Sequence, residues 1–583
     1  MPPRNELAQG VAIGSIGGGY GPYAHDPHGR QGGYGAERHS NTPSESSLAA
    51  AEKDRLQPTT NTVPAFIWDT KDPELDDALH NPDPRLEAAL DRRVDLFSLR
   101  GWINASAVLL ITLGLLMLFA GYPIISGWNH ASPNAPFRSQ NLGGSNASGT
   151  MFIPSLIDAD TPQSAYTKKG SDGNQYNLIF SDEFNRDGRS FYPGDDPYWT
   201  AMDFHYWSTG DLEWYDPAAA TTKGGALVLT MSEKNTHDLN FQSAMLQTWN
   251  QFCFTTGIYE IAISLPGNAQ TPGFWPGAWS MGNLGRAGYG ATTEGTWPYS
   301  YDSCDLGTFP NQTYANSTPV AVTTGGDAGS ALSFLPGQRL SACTCPGSDH
   351  PGPSVDVGRA APEIDIIEAR IDTTVLRGQS SQSLQTAPFN YQYMWPNQSA
   401  IASITDTSVT QINTYHGDQY QQALSAQSYV NSSNYNLGGG GFGVYSYEWW
   451  SNPNKRNEGY IQWAIDGANT WKVDTSALAG DSITQISSRL IPEEPMYLIV
   501  NFGMAPSFQK QDFANLRFPA QMLVDYVRVY QRSGVKDGLG CDPAAHPTAQ
   551  YIQAHSNAYT NANLTTWAQA GYTFPRNSAY TGC

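Results

Sequence analysis

Apolar residues are distributed along the 583-residue chain in three patterns. Residues 1–100 contain few apolar clusters and are rich in Gly, Ser and Pro, which is typical of disordered segments. Residues 101–128 form an apolar run without a charged side chain. Beyond residue 175, short apolar runs alternate with turn residues, and helical periodicity is scarce. The pattern predicts a disordered tail, one membrane-spanning helix and a β-rich domain.

The uncharged run predicts a transmembrane signal anchor over residues 101–125. A helix from Trp102 to Tyr122 would rise about 31 Å, which matches the hydrocarbon core of a bilayer. The alternative is a buried core helix, but this run is uncharged on every face. Three arginines precede it and the next basic residue is Arg138, so the positive-inside rule places the N-terminal tail in the cytoplasm. The rest of the chain is then lumenal or extracellular, as in a single-pass type II membrane protein.

Two further features agree with this topology. All six cysteines follow the apolar run, as expected if that side is oxidising. N-glycosylation sequons also follow it. They lie at Asn146, Asn311, Asn316, Asn397, Asn431 and Asn563.

The region after the run predicts a linker, a β domain and an extension. Residues 126–175 are polar and rich in Gly and Ser, and residues 176–533 contain the β-rich runs. Many short strands with turn signals indicate an all-β sandwich or barrel. The stretches 283–360 and 372–440 read as long loops around a cleft. In the extension 534–583 a Cys541–Cys583 disulfide would close the tail, although six cysteines allow 15 pairings.

One predicted strand, PEIDIIEAR at 362–370, carries three acids between isoleucines. Strict alternation would place Glu363 and Asp365 on one face and would bury Glu368 with Ile364 and Ile366. Burial of an unpaired charge is costly, so a regular strand is unfavourable here. One extra residue, a β-bulge between Asp365 and Glu368, places all three acids on one face.

The bulge also sets the distance between Glu363 and Glu368 along the strand. Glu363 and Glu368 then act as positions i and i+4, roughly 13 Å apart between Cα atoms. Their carboxyl groups approach to roughly 5 to 6 Å, the separation of retaining glycosidases. Asp365 lies between them, where it can hydrogen-bond the nucleophile. The alternative is an accidental acidic edge strand without catalytic function.

Composition narrows the classes of partner. The chain has 32 Lys and Arg against 53 Asp and Glu, a net charge of −21, which repels phosphate backbones and disfavours nucleic acid. Aromatics make up 12% of the residues, which agrees with a secreted sugar-handling domain. No cluster of metal ligands stands out, so neither a metal nor a cofactor is predicted.

The acidic strand resembles the catalytic strand of glycoside hydrolase family 16 in its bulged, laminarinase-like form. Other stretches in the family's order extend the resemblance; they are IFSDEFN (179–185), DLEWYDP (211–217), GALVLTMS (225–232), GIYEIAISLPG (257–267), PGFWPGAWSMGN (272–283), IQWAIDG (461–467) and VDYVRVYQ (524–531). The resemblance implies a concanavalin A-like jelly-roll sandwich. A further resemblance covers roughly residues 60–583. The apolar anchor, WPYSYDSCDLGTFPNQT (297–313) and TYHGDQYQQALSA (414–426) are similar to fungal membrane proteins required for β-1,6-glucan synthesis.

The family resemblance assigns roles to individual residues. It implies that Glu363 is the nucleophile, Asp365 the helper acid and Glu368 the acid/base. It also implies that Trp275 and Trp279 line a cleft where pyranose rings stack, with Trp395 and His416 as weaker candidates, although a core role is as plausible for any single Trp. One departure is that residues 241–254 lack the basic residue often found before GIYEI.

Together these observations predict a membrane-anchored retaining β-glucan glycosidase or transglycosylase of cell-wall synthesis. The first alternative is a catalytically inactive glucan-binding scaffold for a synthesis complex. The second is a membrane adaptor acting through its cytosolic tail, where residues 66–84 combine an aromatic cluster with an acidic run. That segment is either a sorting motif or a solvated acidic stretch.

Overall fold

A computed structural model of the protein describes Arg85 and residues 99–117, 155–395 and 402–583. The first helix, α1 (Leu99–Leu116), lies in a unit within Gln31–Arg138, and the β-rich part forms a separate unit. Within the described ranges, no helix combines the length and the apolar character needed to cross a membrane. Residues 118–125 of the predicted anchor, most of the predicted tail and residues 126–154 of the linker lie outside these ranges.

The β-rich unit is built from short strands. In chain order they are β1 (Thr167–Lys169), β2 (Gln175–Asp182), β3 (Thr200–Ala201), β4 (Phe204–His205), β5 (Glu213–Tyr215), β6 (Ala220–Thr222), β7 (Leu227–Thr236), β8 (Leu239–Ser243), β9 (Met245–Gln247), β10 (Cys253–Phe254), β11 (Gly257–Ser264), β12 (Trp275–Gly282), β13 (Glu363–Asp372), β14 (Arg377–Thr386), β15 (Ala402–Ile404), β16 (Thr410–Ile412), β17 (Gly417–Asp418), β18 (Gln421–Tyr429), β19 (Gly443–Trp450), β20 (Tyr460–Ile465), β21 (Ala468–Asp474), β22 (Met496–Gly503) and β23 (Ala520–Arg532).

These strands form two sheets, with thirteen strands in the larger and ten in the smaller across the described residues. The larger sheet has the order β15-β21-β20-β19-β11-β23-β7-β8-β5-β4, with β2 also on β23, β1 on β2 and β6 on β7. The smaller has the order β16-β18-β14-β13-β12-β22-β9-β3, with β17 on β18 and β10 on β22. Apart from the parallel pair of β5 and β8, the described pairings are antiparallel. The architecture confirms the predicted all-β sandwich.

One hydrophobic core fills the space between the sheets. It takes Ile364, Ile366 and Ile367 from the smaller sheet and aromatic residues such as Tyr447 from the larger. Trp463 stacks on Trp471 with ring centroids 4.4 Å apart, and its indole N–H donates to the Asp365 carbonyl across the core at 2.8 Å. The core thus fixes the backbone of β13 from behind.

The prediction of a long loop over residues 372–440 is wrong, because that stretch contains β14 to β18. The residue composition of this stretch does not indicate strands. β14 reads RGQSSQSLQT, yet almost all of it is buried. Its hydroxyls pair with those of β18, for example Ser383 with Ser425 at 2.9 Å, so these polar side chains are satisfied without apolar neighbours.

The insert, residues 283–362 between β12 and β13, contains no strand and carries α2 (Gly290–Thr293) and α3 (Val320–Thr324). The C-terminal extension, residues 534–583, adds α4 (Ala549–Ala554) and α5 (Ser556–Thr560), which pack on the insert in a separate hydrophobic cluster.

Disulfides join Cys253 to Cys541, Cys304 to Cys343 and Cys345 to Cys583. The expected Cys541–Cys583 pairing is therefore wrong, because each of these residues reaches back to an earlier segment.

The base of the insert is held by a buried ion pair, which leads to a stability prediction. The Arg359 guanidinium donates to both oxygens of Glu494 at 2.8 and 2.9 Å. Burial alone would raise the pKa of Glu494, but the Arg359 charge holds it below its ordinary value. Arg359→Met leaves that carboxylate buried and unpaired, so we expect the free energy of unfolding to fall by about 3 to 5 kcal/mol.

Denaturant titration of the full chain measures this loss. The matched control is Lys455→Met, which breaks an exposed pair with Glu458 and is expected to change stability by less than about 0.5 kcal/mol. Equal unfolding midpoints for the two variants would contradict the prediction.

Candidate active site

The acids of β13 are brought together by a bulge. Glu363 pairs with Gln385 and Asp365 with Ser383, but Glu368 pairs with Ser381, so β13 contains one residue more than β14 across this interval. The register with β12 shifts at the same place. The three neighbouring isoleucines are fully buried in the core. The predicted bulge between Asp365 and Glu368 is confirmed, and it satisfies the isoleucines and the acids at the same time.

A cleft of about 400 Å³ lies over this part of the smaller sheet. Glu363, Asp365 and Glu368 all line it, and so do Trp275 and Trp279. The remaining wall is mainly polar or aromatic, with Tyr206, Asp211, Tyr215, Arg370, Ser381, Ser383, Gln385, Asn413, Tyr415, Asp418, Gln421, Gln427, Asn501, Ser507 and Phe508 among its residues. Such a lining suits a ligand with an apolar face and many hydroxyls.

Each of the three acids has a hydrogen-bond donor of its own. The Trp297 indole N–H donates to Glu363 Oε2 at 2.6 Å. The Gln385 amide donates to Asp365 Oδ2 at 3.0 Å, and the Trp275 indole donates to Glu368 Oε1 at 3.0 Å. Asp365 and Glu363 also share a carboxyl–carboxyl hydrogen bond. The donors fix the side chains in the cleft.

Burial raises the pKa of all three carboxyls, since charge is disfavoured away from water. The pKa rises to about 8 for Glu363 and to about 7 for Glu368. For Glu363 the Trp297 N–H and the Asp365 hydrogen bond oppose the rise in pKa, because both favour its ionised form. For Asp365 the neighbouring glutamates raise the pKa further. The two glutamates therefore titrate close together, and the hydrogen bonds that Glu363 receives from Trp297 and Asp365 are the contacts that favour placing the charge on Glu363.

The polar groups of the cleft wall behind Trp279 are hydrogen-bonded in series. The Trp279 indole donates to Asn501 Oδ1 at 2.9 Å, and the Asn501 amide donates to the Tyr215 hydroxyl at 3.1 Å. That hydroxyl donates to Asp211 Oδ2 at 3.1 Å. Nearby, the Trp275 ring stacks on Phe508 with centroids 4.2 Å apart. Both tryptophans are therefore held in fixed orientations against the cleft.

Two other residues suggested for sugar contact are not in the cleft lining. Trp395 is 5% exposed and lies in the hydrophobic core with its ring 5.5 Å from that of Trp471, which corrects its assignment as a sugar platform. His416 is half-buried outside the lining, although its neighbours Tyr415 and Asp418 belong to it. Trp395 packs beside the stacked Trp463 and Trp471 rings and fills volume in the hydrophobic core. Its side chain therefore points into the core and not into the cleft.

Several residues that line the cleft or hold its acids were not predicted from the sequence. Trp297 lies in the WPYSYD stretch, which stood out only through a resemblance, and Gln385 lies on a strand read as loop. Phe508 and Asn501 carried no signal of their own. These side chains join the site through long-range contacts, which sequence periodicity does not indicate.

The predicted glycosylation sites differ in access. Asn316, Asn431 and Asn563 are exposed, whereas Asn311 is half-buried with its side-chain oxygen enclosed. Asn146 and Asn397 lie outside the described residues. All six remain predictions. Across the parts of the chain that the structure describes, no group of three or more His, Cys, Asp or Glu residues is placed to hold a metal ion.

Comparison with known proteins identifies relatives of the chain. Residues 66–583 match the family described as beta-glucan synthesis-associated protein SKN1/KRE6/Sbg1. Beta-glucan synthesis-associated protein KRE6 of Saccharomyces cerevisiae is 45% identical over 520 residues, which cover 86% of this chain and 68% of KRE6. Endo-1,3-1,4-beta-glycanase EglC of Rhizobium meliloti is 26% identical over 243 residues, covering 38% and 48% of the two chains.

Solved structures with a similar fold include the endo-beta-1,3-glucanase of Pyrococcus furiosus. It is 17% identical, the match covers 64% of this chain and 99% of that one, and the TM-score is 0.37.

Proposed function

This chain belongs to the SKN1/KRE6/Sbg1 family of beta-glucan synthesis-associated proteins, and from that premise we propose that it is a retaining β-glucan glycosidase or transglycosylase. The observation that carries the proposal is the bulged strand, which places Glu363 and Glu368 in one cleft with Asp365 between them. The resemblance of EIDIIE to the catalytic strand of glycoside hydrolase family 16 supports the same roles. The family description supports a β-glucan as the ligand, and the name of the EglC relative, a beta-glycanase, supports action on a β-linked glycan.

The proposed reaction has two steps. The Glu363 carboxylate attacks the anomeric carbon while protonated Glu368 donates its proton to the departing glycosidic oxygen, which leaves a glycosyl ester on Glu363. The Glu368 carboxylate then takes a proton from an incoming hydroxyl, whose oxygen displaces Glu363 from the sugar. Two inversions restore the β configuration. Asp365, holding its own proton, donates to Glu363 and stabilises its charge between turnovers.

The incoming hydroxyl decides between two outcomes. Water gives hydrolysis, and a sugar hydroxyl gives a longer or branched glucan. The family description refers to beta-glucan synthesis, which supports transfer to a sugar acceptor. The resemblance to proteins required for β-1,6-glucan synthesis makes β-1,6 linkages candidates for the product. The polar wall of the cleft, rich in Ser, Asn and Gln, suits a second sugar ring beside the donor.

We further propose that the chain is a single-pass type II protein of a secretory membrane, with the glucan-binding domain of residues 176–533 and its extension 534–583 lumenal or extracellular. Three disulfides support an oxidising compartment. The apolar side chains of α1, including Ile103, Leu110 and Leu116, are exposed, which supports a lipid environment over residues 101–125. The tail of residues 1–100 would then meet any sorting partner in the cytosol.

A second candidate is a glucan-binding scaffold without turnover. The observation that favours it is the family description, which associates these proteins with synthesis and names no reaction. In that case the cleft would hold a glucan for a separate synthase.

Product analysis separates the two candidates. The purified full chain is incubated with defined β-1,3- and β-1,6-gluco-oligosaccharides, and products are followed by mass spectrometry and proton NMR. We expect shorter and longer oligosaccharides whose new anomeric centres are β. Saturable oligosaccharide binding without any new product would favour the scaffold.

A further inference from the structure

The donor to Glu363 comes from outside the sheets. Trp297 lies in the insert and is 3% exposed, and its indole N–H reaches Glu363 Oε2 at 2.6 Å. By contrast, the donor to Glu368 is Trp275, on the neighbouring strand β12 of the same sheet. The first acid of the pair is thus held by a segment whose position depends on the packing of the insert.

Backbone contacts fix the turn that carries Trp297. Its amide donates to the Thr293 carbonyl at the end of α2 at 2.9 Å. The adjacent Thr296 carbonyl accepts from the Ala361 amide at 2.9 Å, two residues before Glu363. The turn is therefore tied to the start of β13 on one side and to α2 on the other.

A buried arginine connects α2 with the C-terminal extension. The Arg339 guanidinium donates to the carbonyls of Ala291, Thr292 and Glu294 at 2.7 to 2.9 Å. It lies over the Trp567 ring of the extension, 3.8 Å from the ring centroid. Arg339 is 1% exposed, so this contact is shielded from water and is strengthened by the low local dielectric.

The extension also contacts α2 directly. The Trp567 amide donates to Glu294 Oε2 at 2.6 Å, and the Ala291 amide donates to the Leu564 carbonyl at 3.0 Å. The disulfide from Cys345 to Cys583 then ties the end of the extension to the insert. A continuous set of buried contacts thus runs from the extension through Arg339 and α2 to Trp297.

We propose that Trp297 is a positioning residue for Glu363 and that the C-terminal extension, acting through Trp567 and Arg339, holds Trp297 in place. The inference rests on the proposed function, in which Glu363 is the nucleophile. It gives the extension a role in the reaction, although the extension contributes no side chain to the cleft lining described above.

The physical effect on Glu363 is specific. An N–H aimed at a buried carboxylate favours the ionised form and limits the rotamers of the side chain. Without it, the pKa of Glu363 rises and the attacking oxygen loses its fixed direction. Substrate binding, which uses other walls of the cleft, is little affected.

Trp297→Phe tests the first part, because it keeps an aromatic ring and removes the N–H. We expect kcat to fall about 10- to 100-fold, with KM within about twofold. The nucleophile must be ionised, so the acidic limb of the pH profile is expected to move upward by about one unit. The matched control is Trp214→Phe, which removes an indole bond to Asp203 outside the cleft and should change neither quantity. A Trp297→Phe profile equal to the control would overturn the proposal.

Arg339→Met and Trp567→Phe test the second part in the full chain. Each should reproduce the upward shift of the acidic limb, and each double variant with Trp297→Phe should shift no further, because all three changes act through one hydrogen bond. Trp567→Phe is the milder change and serves if Arg339→Met does not fold. A folded Trp567→Phe variant with the wild-type profile would overturn the role of the extension.

A readout independent of turnover separates this inference from the proposed function. Carbon-13 labelling of glutamate side chains, with Glu363→Gln to assign the signal, gives the titration of Glu363 by NMR. If the wild-type chain turns over no glucan but Trp297→Phe raises the pKa of Glu363, the proposed function fails and the positioning contact stands. If the wild type is active and the titration is unchanged by Trp297→Phe, the positioning contact fails alone.

Discussion

Replacing Glu363 by Gln is expected to lower the rate of glucan cleavage or transfer by a factor on the order of 10⁴ or more, because it removes the attacking oxygen of the first step. The fold should survive. The amide oxygen still accepts from Trp297, and the change removes an acid whose charge disfavours ionisation of Asp365. Initial rates on a defined β-glucan oligosaccharide measure the effect, and denaturant unfolding checks stability.

The control for this variant is Glu233→Gln, which makes the same change on the exposed part of β7. It should retain the full rate. A Glu363→Gln rate within about tenfold of the wild type would contradict the catalytic role and would favour the scaffold.

Replacing Glu368 by Gln is expected to have a different signature. A glucan leaving group needs the proton from Glu368, so its rate should fall by about 10² to 10⁴. An aryl glucoside with a good leaving group needs no proton, so formation of the glycosyl ester should be nearly normal, and azide should accelerate release of the sugar.

The pH dependence follows from the same group. Burial raises the pKa of Glu368 to about 7, and the first step requires its acid form. The first step needs one proton on the Glu363–Glu368 pair, whose pKa values are about 8 and about 7, so wild-type activity should decline as pH rises above about 8. This limb should be absent when Glu368→Gln acts on the activated glucoside. An unchanged alkaline limb in that variant would assign the titration to another group.

The part of the site that lies on β13 is predictable from its own residues. Three isoleucines and three acids in PEIDIIEAR satisfy both faces of a strand only if a bulge separates Asp365 from Glu368, and the structure contains that bulge. Here the burial of the isoleucines in the core and the exclusion of the carboxyls from it act on neighbouring residues. The local sequence pattern therefore predicts the bulged register of β13 as well as the strand itself.

Other features depend on partners far away in the chain. β14 has few apolar residues, and it is stable as a strand because Ser383 meets Ser425 and Gln385 meets Asp365. Trp395 is a core residue because it packs against Trp471. The cysteine pairing likewise depends on how the extension returns to the insert, which spacing alone does not determine.

Trp297 is a site residue that the local sequence does not predict. Nothing in its local sequence marks it as a partner of Glu363, 66 residues later. Its position follows from α2, Arg339 and the extension, which meet only in the folded chain.

The proposed mechanism requires that Glu363 becomes glycosylated during turnover. A 2-deoxy-2-fluoro-glucoside with an activated leaving group slows the second step and traps the ester, and peptide mass spectrometry of the inactivated full chain locates the sugar. We expect one fluoroglucosyl group on Glu363, and none in Glu363→Gln. A sugar on any other residue, or full turnover of natural glucan without trapping, would contradict it.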